Sequence, residues 1–87
     1  MRSFKYTIKD EIGIHARPAG LLVKEAGKFN SQIIINNTKN GKSAEAKKLF
    51  GVMGLAVKCG DIVEISVDGD DEETAAQEME IFFKNNL

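Results

Sequence analysis

Phe4, Tyr6 and Ile8 alternate with Lys5, Thr7 and Lys9, the period-two pattern of a strand buried on one face. Gly13 interrupts it. Ala19, Leu22, Val23 and Ala26 then follow helical spacing, with Pro18 in the first turn, where its missing N–H costs little. That helix should stop near Gly27. Gln32 to Asn36 contains three consecutive isoleucines and reads as a second strand. The turn formers from Asn36 to Gly41 follow, and Asn40-Gly41 is a hairpin signal. Lys42 to Ala46 can return as a third strand.

Lys48 to Met53 is a short helical candidate with Leu49, Val52 and Met53 on one side. Gly60-Asp61 is a turn. Ile62 to Val67 is a fourth strand with Val63, Ile65 and Val67 on one face. Asp70 can cap a last helix, with Glu73 three residues on as in a capping box. Ala75, Met79, Phe82 and Phe83 then fall on one side. The order strand, helix, strand, strand, helix, strand, helix predicts an α+β sandwich. Three helices should cover one face of a mostly antiparallel four-stranded sheet whose other face is open.

Eighty-seven residues are enough for one small core, so a single domain over residues 1–87 is expected. An apolar fraction of 43% argues against disorder. Cys59 is the only cysteine, which excludes an intrachain disulfide and suits a reducing compartment. No apolar run approaches the ~20 residues that span a bilayer, and the N-terminal residues lack the apolar stretch of a secretion signal. A cytoplasmic location without membrane insertion is therefore expected. Net charge is only -1, but nine acidic residues and no basic one lie between Asp61 and Glu80, while ten of twelve basic residues precede Lys58. These are two solvated faces of opposite sign, or a basic side that meets an acidic partner or a phosphate. Without a dense basic block, nucleic acid is not an expected ligand.

The chemistry concentrates in Gly13-Ile14-His15-Ala16-Arg17-Pro18-Ala19, which joins the first strand to the first helix. Judged from Pro18, His15 falls at or just before the helix start. Backbone N–H groups there, such as those of Ala16 and Arg17, lack intrahelical partners, and the local dipole is positive. The combination suits a phosphate. Arg17 adds a guanidinium able to grip phosphate oxygens in pairs. The positive helix end disfavours an imidazolium, and a neutral imidazole is a nucleophile near neutral pH. Attack on an activated phosphoryl group would give phosphohistidine. The plainer alternative is a histidine that merely caps the helix. A metal site is poorly supplied, because His15 is the only histidine and Cys59 the only thiol. Asp10 and Glu11 offer too few oxygens for a hard cation. No cofactor motif is present.

The stretch Gly-Ile-His-Ala-Arg-Pro-Ala closely resembles the active-site signature of HPr, the family of histidine-containing phosphocarrier proteins of the bacterial phosphoenolpyruvate:sugar phosphotransferase system. The segment from Asn40-Gly41-Lys42 through Lys48-Leu49-Phe50-Gly51-Val52-Met53 is similar to the family's second segment, and Gly60-Asp61-Ile62-Val63-Glu64-Ile65 also fits. The resemblance covers essentially the whole chain, apart from a two-residue lengthening of the hairpin around Asn37 to Lys39. It implies an HPr-like βαββαβα fold. It also implies a monomeric, stoichiometric carrier rather than an enzyme, taking a phosphoryl group from Enzyme I and passing it to sugar-specific Enzyme IIA domains. His15 then corresponds to the phosphoryl acceptor, through either ring nitrogen, and Arg17 to its phosphate partner. Gly20, Leu21 and Lys24, with Lys48, Leu49, Phe50 and Met53, correspond to the partner-docking surface. Of the apolar residues, Leu49 is expected in the core and Phe50 in solvent.

Ile12 stands where many members carry a polar residue near the active site. Lys48 stands where members from Gram-positive bacteria carry a regulatory serine. The competing reading is an HPr-like regulatory or nitrogen-branch phosphotransfer protein that acts mainly through protein–protein contacts. Retention of His15 and Arg17 argues against a regulator that is never phosphorylated.

Overall fold

The computed structural model describes residues 1–87. Its elements are β1 (Arg2–Thr7), α1 (Ala16–Ala26), β2 (Gln32–Asn37), β3 (Ser43–Glu45), α2 (Leu49–Met53), β4 (Ile62–Asp68) and α3 (Glu72–Asn86). The strands form one sheet in the order β1-β4-β2-β3, and all three pairings are antiparallel. β4 thus lies between the first two strands, placing Ile65 opposite Phe4 on one side and Ile35 on the other.

Alternation decides which side chains enter the core. Ile33 and Ile35 on β2 and Val63, Ile65 and Val67 on β4 are buried, while their neighbours Ile34, Glu64 and Ser66 turn to the open face. The helices supply Ala19, Leu22 and Ala26 from α1, Val52 from α2, and Ala75, Met79 and Phe83 from α3. Phe83 meets Phe4, Tyr6 and Phe82 edge to face, at centroid distances of 6.1, 5.7 and 6.1 Å. Complete burial of such a side chain stabilises the fold by about 1.5–3 kcal/mol. The expected α+β sandwich is therefore the observed fold, and the sheet is fully rather than mostly antiparallel.

Details differ from the periodicity. Asn40-Gly41 does not form a two-residue turn. The Asn37 N–H donates to the Lys42 carbonyl, and Gly41, at φ +75°, closes a longer loop by donating to the Asn37 carbonyl. Asn37 is itself fully buried. Its amide and that of Asn40 both donate to the Leu55 carbonyl, at 3.0 and 3.1 Å. The lengthened hairpin is thereby tied to the segment after α2, as a buried amide requires.

Leu49 is not core. It is 38% exposed, and of the α2 side chains only Val52 is buried. The helix has five residues, so one side chain reaches inward, and Leu55, just past its end, is the next buried residue.

Asp70 does not cap the last helix, and Glu73 does not complete a box. The N-cap is Asp71, one residue later, and its side chain makes no cap bond. Its carboxylate instead accepts the Asn30 and Ser31 N–H groups, each at 2.9 Å, and the Ser31 hydroxyl. The start of α3 is thus fastened to the loop between α1 and β2, across about forty residues that local pattern cannot connect. The Gly69 N–H donates to Glu72 instead, at 3.3 Å.

The Ser31 hydroxyl bond, followed by the Asn30 N–H, holds the Asp71 carboxyl below the usual carboxylate range. A carboxyl that binds its proton less readily folded than unfolded adds stability above its unfolded pKa. That contribution fades as pH falls through its lower folded value. Asp71→Asn is therefore expected to melt lower than the parent at pH 7, with the gap closing in strong acid. Melting curves from pH 7 down to pH 2 measure it, and a gap that stays constant with pH would remove the charge from this account.

Candidate functional site

The loop after β1 is shaped by a close backbone approach. Gly13 has φ +87°, and a Cβ there would lie 2.2 Å from the Val57 carbonyl oxygen. Only glycine fits this position. The next N–H, of Ile14, donates to that same oxygen at 3.1 Å, and the Ile14 side chain is buried. The chain is thus fixed on the segment before β4 just ahead of the histidine.

His15 is the N-cap of α1, with extended backbone angles (φ -109°, ψ -175°). Its carbonyl accepts the Ala19 N–H, but its ring makes no cap hydrogen bond. The plain capping role is thereby removed: the imidazole is left available for other partners. The N–H groups of Ala16 and Arg17 have no backbone acceptor, and Pro18 has no N–H to satisfy. Two donors at the positive end of an eleven-residue helix therefore stand next to the ring.

Arg17 is exposed and makes no ion pair. Its charge lies at the end of the helix where a cation is least favoured, at a cost of roughly 0.3–1 kcal/mol. A guanidinium kept in such a place, without a carboxylate partner, is free to bind an incoming anion.

His15, Arg17, Pro18 and Leu21 line an open cleft of about 340 Å³ together with Asp10, Asn85 and Asn86. The ring is 37% exposed, and its Nε2 is 4.0 Å from Asp10 Oδ1. The last turn of α3 reaches the cleft because the Leu87 carbonyl oxygen accepts the Lys9 and Asp10 N–H groups, at 2.6 and 2.8 Å. Asn85 and Asn86 carry no local signal in the sequence, since only tertiary contact brings them here. Asp10 is conspicuous in sequence only as a weak metal candidate, yet it is the carboxylate facing the ring.

The remaining residues matched to a docking surface do not line the cleft. Gly20 and Lys24 lie exposed on α1. Lys48, Leu49, Phe50 and Met53 lie exposed on or beside α2, which packs against α1. Phe50 is 86% exposed. Ile12, also in solvent, adds an apolar side chain to the loop that carries His15. Ile12, Leu21, Leu49, Phe50 and Met53 are thus large apolar side chains left exposed on α1, α2 and the loop before α1. Lys48 is the N-cap of α2 but offers no cap bond; its Nζ lies 3.4 Å from Glu45.

A family model described as the PTS HPr component phosphorylation site matches residues 2–85. A phosphocarrier protein HPr from Mycoplasma capricolum is 43% identical over 77 residues, covering 88% of this chain and 84% of the relative. One from Haemophilus influenzae is 48% identical over 67 residues, covering 77% and 76%. The crystal structure of HPr-C-His from Thermoanaerobacter tengcongensis superposes with a TM-score of 0.91 at 38% identity, over 99% of this chain and 94% of that one.

Proposed function

This chain belongs to the HPr family of phosphocarrier proteins, and from that premise we propose that it relays a phosphoryl group from Enzyme I to Enzyme IIA domains through His15. The chain acts as a single HPr-like domain, monomeric and cytoplasmic, and it is a stoichiometric carrier with no cofactor. One observation carries the reading. The imidazole sits at a helix start without being used as a cap, and it faces an open cleft beside an unpaired arginine.

The arrangement favours Nδ1 as the acceptor atom. Nε2 faces the Asp10 carboxylate, which would repel an arriving phosphate. Attack by the Nδ1 lone pair leaves the new negative oxygens to the Ala16 and Arg17 N–H groups and the Arg17 guanidinium. The cleft is shallow and open to solvent, which suits a group that must be handed on. The test is incubation with phosphoenolpyruvate and Enzyme I, followed by intact mass. One phosphoryl group, labile in acid and stable in base, is expected; no mass gain refutes the reading.

Docking is assigned to Gly20, Leu21, Lys24, Lys48, Leu49, Phe50 and Met53. The exposure of Leu49 adds it to the apolar contacts. Phe50→Ala is expected to weaken Enzyme I binding roughly ten- to thirty-fold, about 1.4–2 kcal/mol, with stability within about 0.5 kcal/mol of the parent. Calorimetric titration and melting curves separate the two effects. A loss of stability on the scale of a buried phenylalanine, about 3–5 kcal/mol, with affinity unchanged, would mean that the docking face lies elsewhere. Lys48 has no hydroxyl, so phosphorylation by an HPr serine kinase cannot occur there. Ser43 is no substitute, since it is held in β3 opposite Asn36. The carrier should therefore escape that control, and the Lys48 cation should suit an acidic face on Enzyme I.

A further inference from the structure

Asp10 is held in place by the main chain around it. Its Oδ1 accepts the Ile12 N–H at 2.9 Å. Its carbonyl accepts the Gly13 N–H at 3.0 Å, and its own N–H donates to the Leu87 carbonyl oxygen at 2.8 Å. The carboxylate so fixed stands 4.0 Å from His15 Nε2. That distance is too long for a hydrogen bond and short enough for the charge to bias the ring. The other charged side chain lining the cleft is Arg17; α3 contributes only the neutral Asn85 and Asn86. Lys9 and Glu11 flank Asp10 in the chain but do not line the cleft.

We infer that Asp10 is a positioning residue for phosphoryl transfer at His15, favouring the Nε2–H tautomer and stabilising the positively charged ring of the phosphorylated protein. The inference rests on the phosphocarrier reading. In the accepting step the Nδ1 lone pair forms the N–P bond. The donor's own bond to phosphorus breaks, and its electron pair leaves with the donor. The ring then carries both the N–P bond and the Nε2 proton, so it is formally an imidazolium, and Asp10 balances that charge. In the donating step the acceptor's lone pair forms the new bond to phosphorus, the N–P electron pair returns to Nδ1, and the ring is neutral again with the Nε2 proton unmoved. A phosphorylated ring that has lost the Nε2 proton is a poorer donor, because the departing nitrogen would leave as an anion. Asp10 therefore widens the pH range over which the phosphoryl group can be passed on.

Asp10→Asn tests this, because asparagine keeps the oxygen that accepts the Ile12 N–H and removes only the charge. The pH at which spontaneous phosphate loss from the phosphorylated protein falls to half its acid rate should move down by about half a pH unit. That is less than the roughly 1–3 units of a closely paired opposite charge, because the site is partly open to water and the pair is screened. In the unphosphorylated parent, ¹⁵N spectra of His15 should place the neutral ring's proton mainly on Nε2, and the variant should show a larger Nδ1–H fraction. An unchanged pH profile together with an unchanged tautomer ratio, in a variant that melts like the parent, overturns the inference. A parent ring found mainly as the Nδ1–H tautomer overturns it without any variant. Failure of the parent to take up phosphate from Enzyme I refutes the carrier reading instead, while the tautomer measurement still decides what Asp10 does.

Discussion

His15→Ala is expected to take up no phosphoryl group from phosphorylated Enzyme I, with the fold essentially unchanged. The two halves have separate physical grounds. The chain has no second histidine, and phosphoryl transfer of this kind needs a nitrogen lone pair that is free near neutral pH. Serine and threonine hydroxyls are protonated at that pH, and none of them lines the cleft. The loss should therefore be complete by intact mass, not partial. Stability should stay within about 0.5 kcal/mol of the parent. The ring is 37% exposed, makes no cap bond, and contacts Asp10 only at 4.0 Å. Its carbonyl, which accepts the Ala19 N–H, survives the substitution. The measurements are intact mass after incubation with Enzyme I and phosphoenolpyruvate, and a melting curve. A His15→Ala chain that still gains a phosphoryl group would show that the acceptor is another residue.

The parts of this picture that were legible in the sequence are those carried by period and by covalent neighbours. Val63, Ile65 and Val67 declare a strand with one buried face, and they are buried. Gly13, His15, Arg17 and Pro18 lie within six residues, so their meeting at one helix start needs no knowledge of the fold. What was hidden depends on contacts between distant segments. Asp71 was one residue from the expected cap. Its partners, Asn30 and Ser31, are fixed only once α3 packs beside α1. Leu49 satisfied the helical spacing of a core position, but α2 is too short to bury more than one side chain, and length is read poorly from five residues. Asn37 looked like a turn residue and is instead a buried anchor, because its amide finds the Leu55 carbonyl eighteen residues away. Asn85 and Asn86 reach the cleft only through the closure of the Leu87 oxygen on Lys9 and Asp10.

Arg17→Ala is expected to slow phosphoryl transfer by roughly 10²-fold, the low end of what removing one donor costs at a preorganised anion site. The lower end applies because Arg17 is exposed, and water screens its field. Stability should not fall. Arg17 makes no ion pair to lose, it places a positive charge at the positive end of α1, and alanine is the better helix former. A small gain of about 0.3–1 kcal/mol is the expected sign. That combination, slower transfer in a more stable protein, marks a residue kept for its chemistry, because a side chain retained for folding would cost stability when removed. Arg17→Lys separates the parts of the role. Lysine keeps the charge but not the planar fork that meets two phosphate oxygens at once, so it should recover part of the rate and not all of it. Rapid-quench measurement of acceptance from Enzyme I and donation to an Enzyme IIA domain reads both steps. Rates equal to the parent in both directions would mean that the backbone N–H groups of α1 hold the phosphoryl charge without the guanidinium.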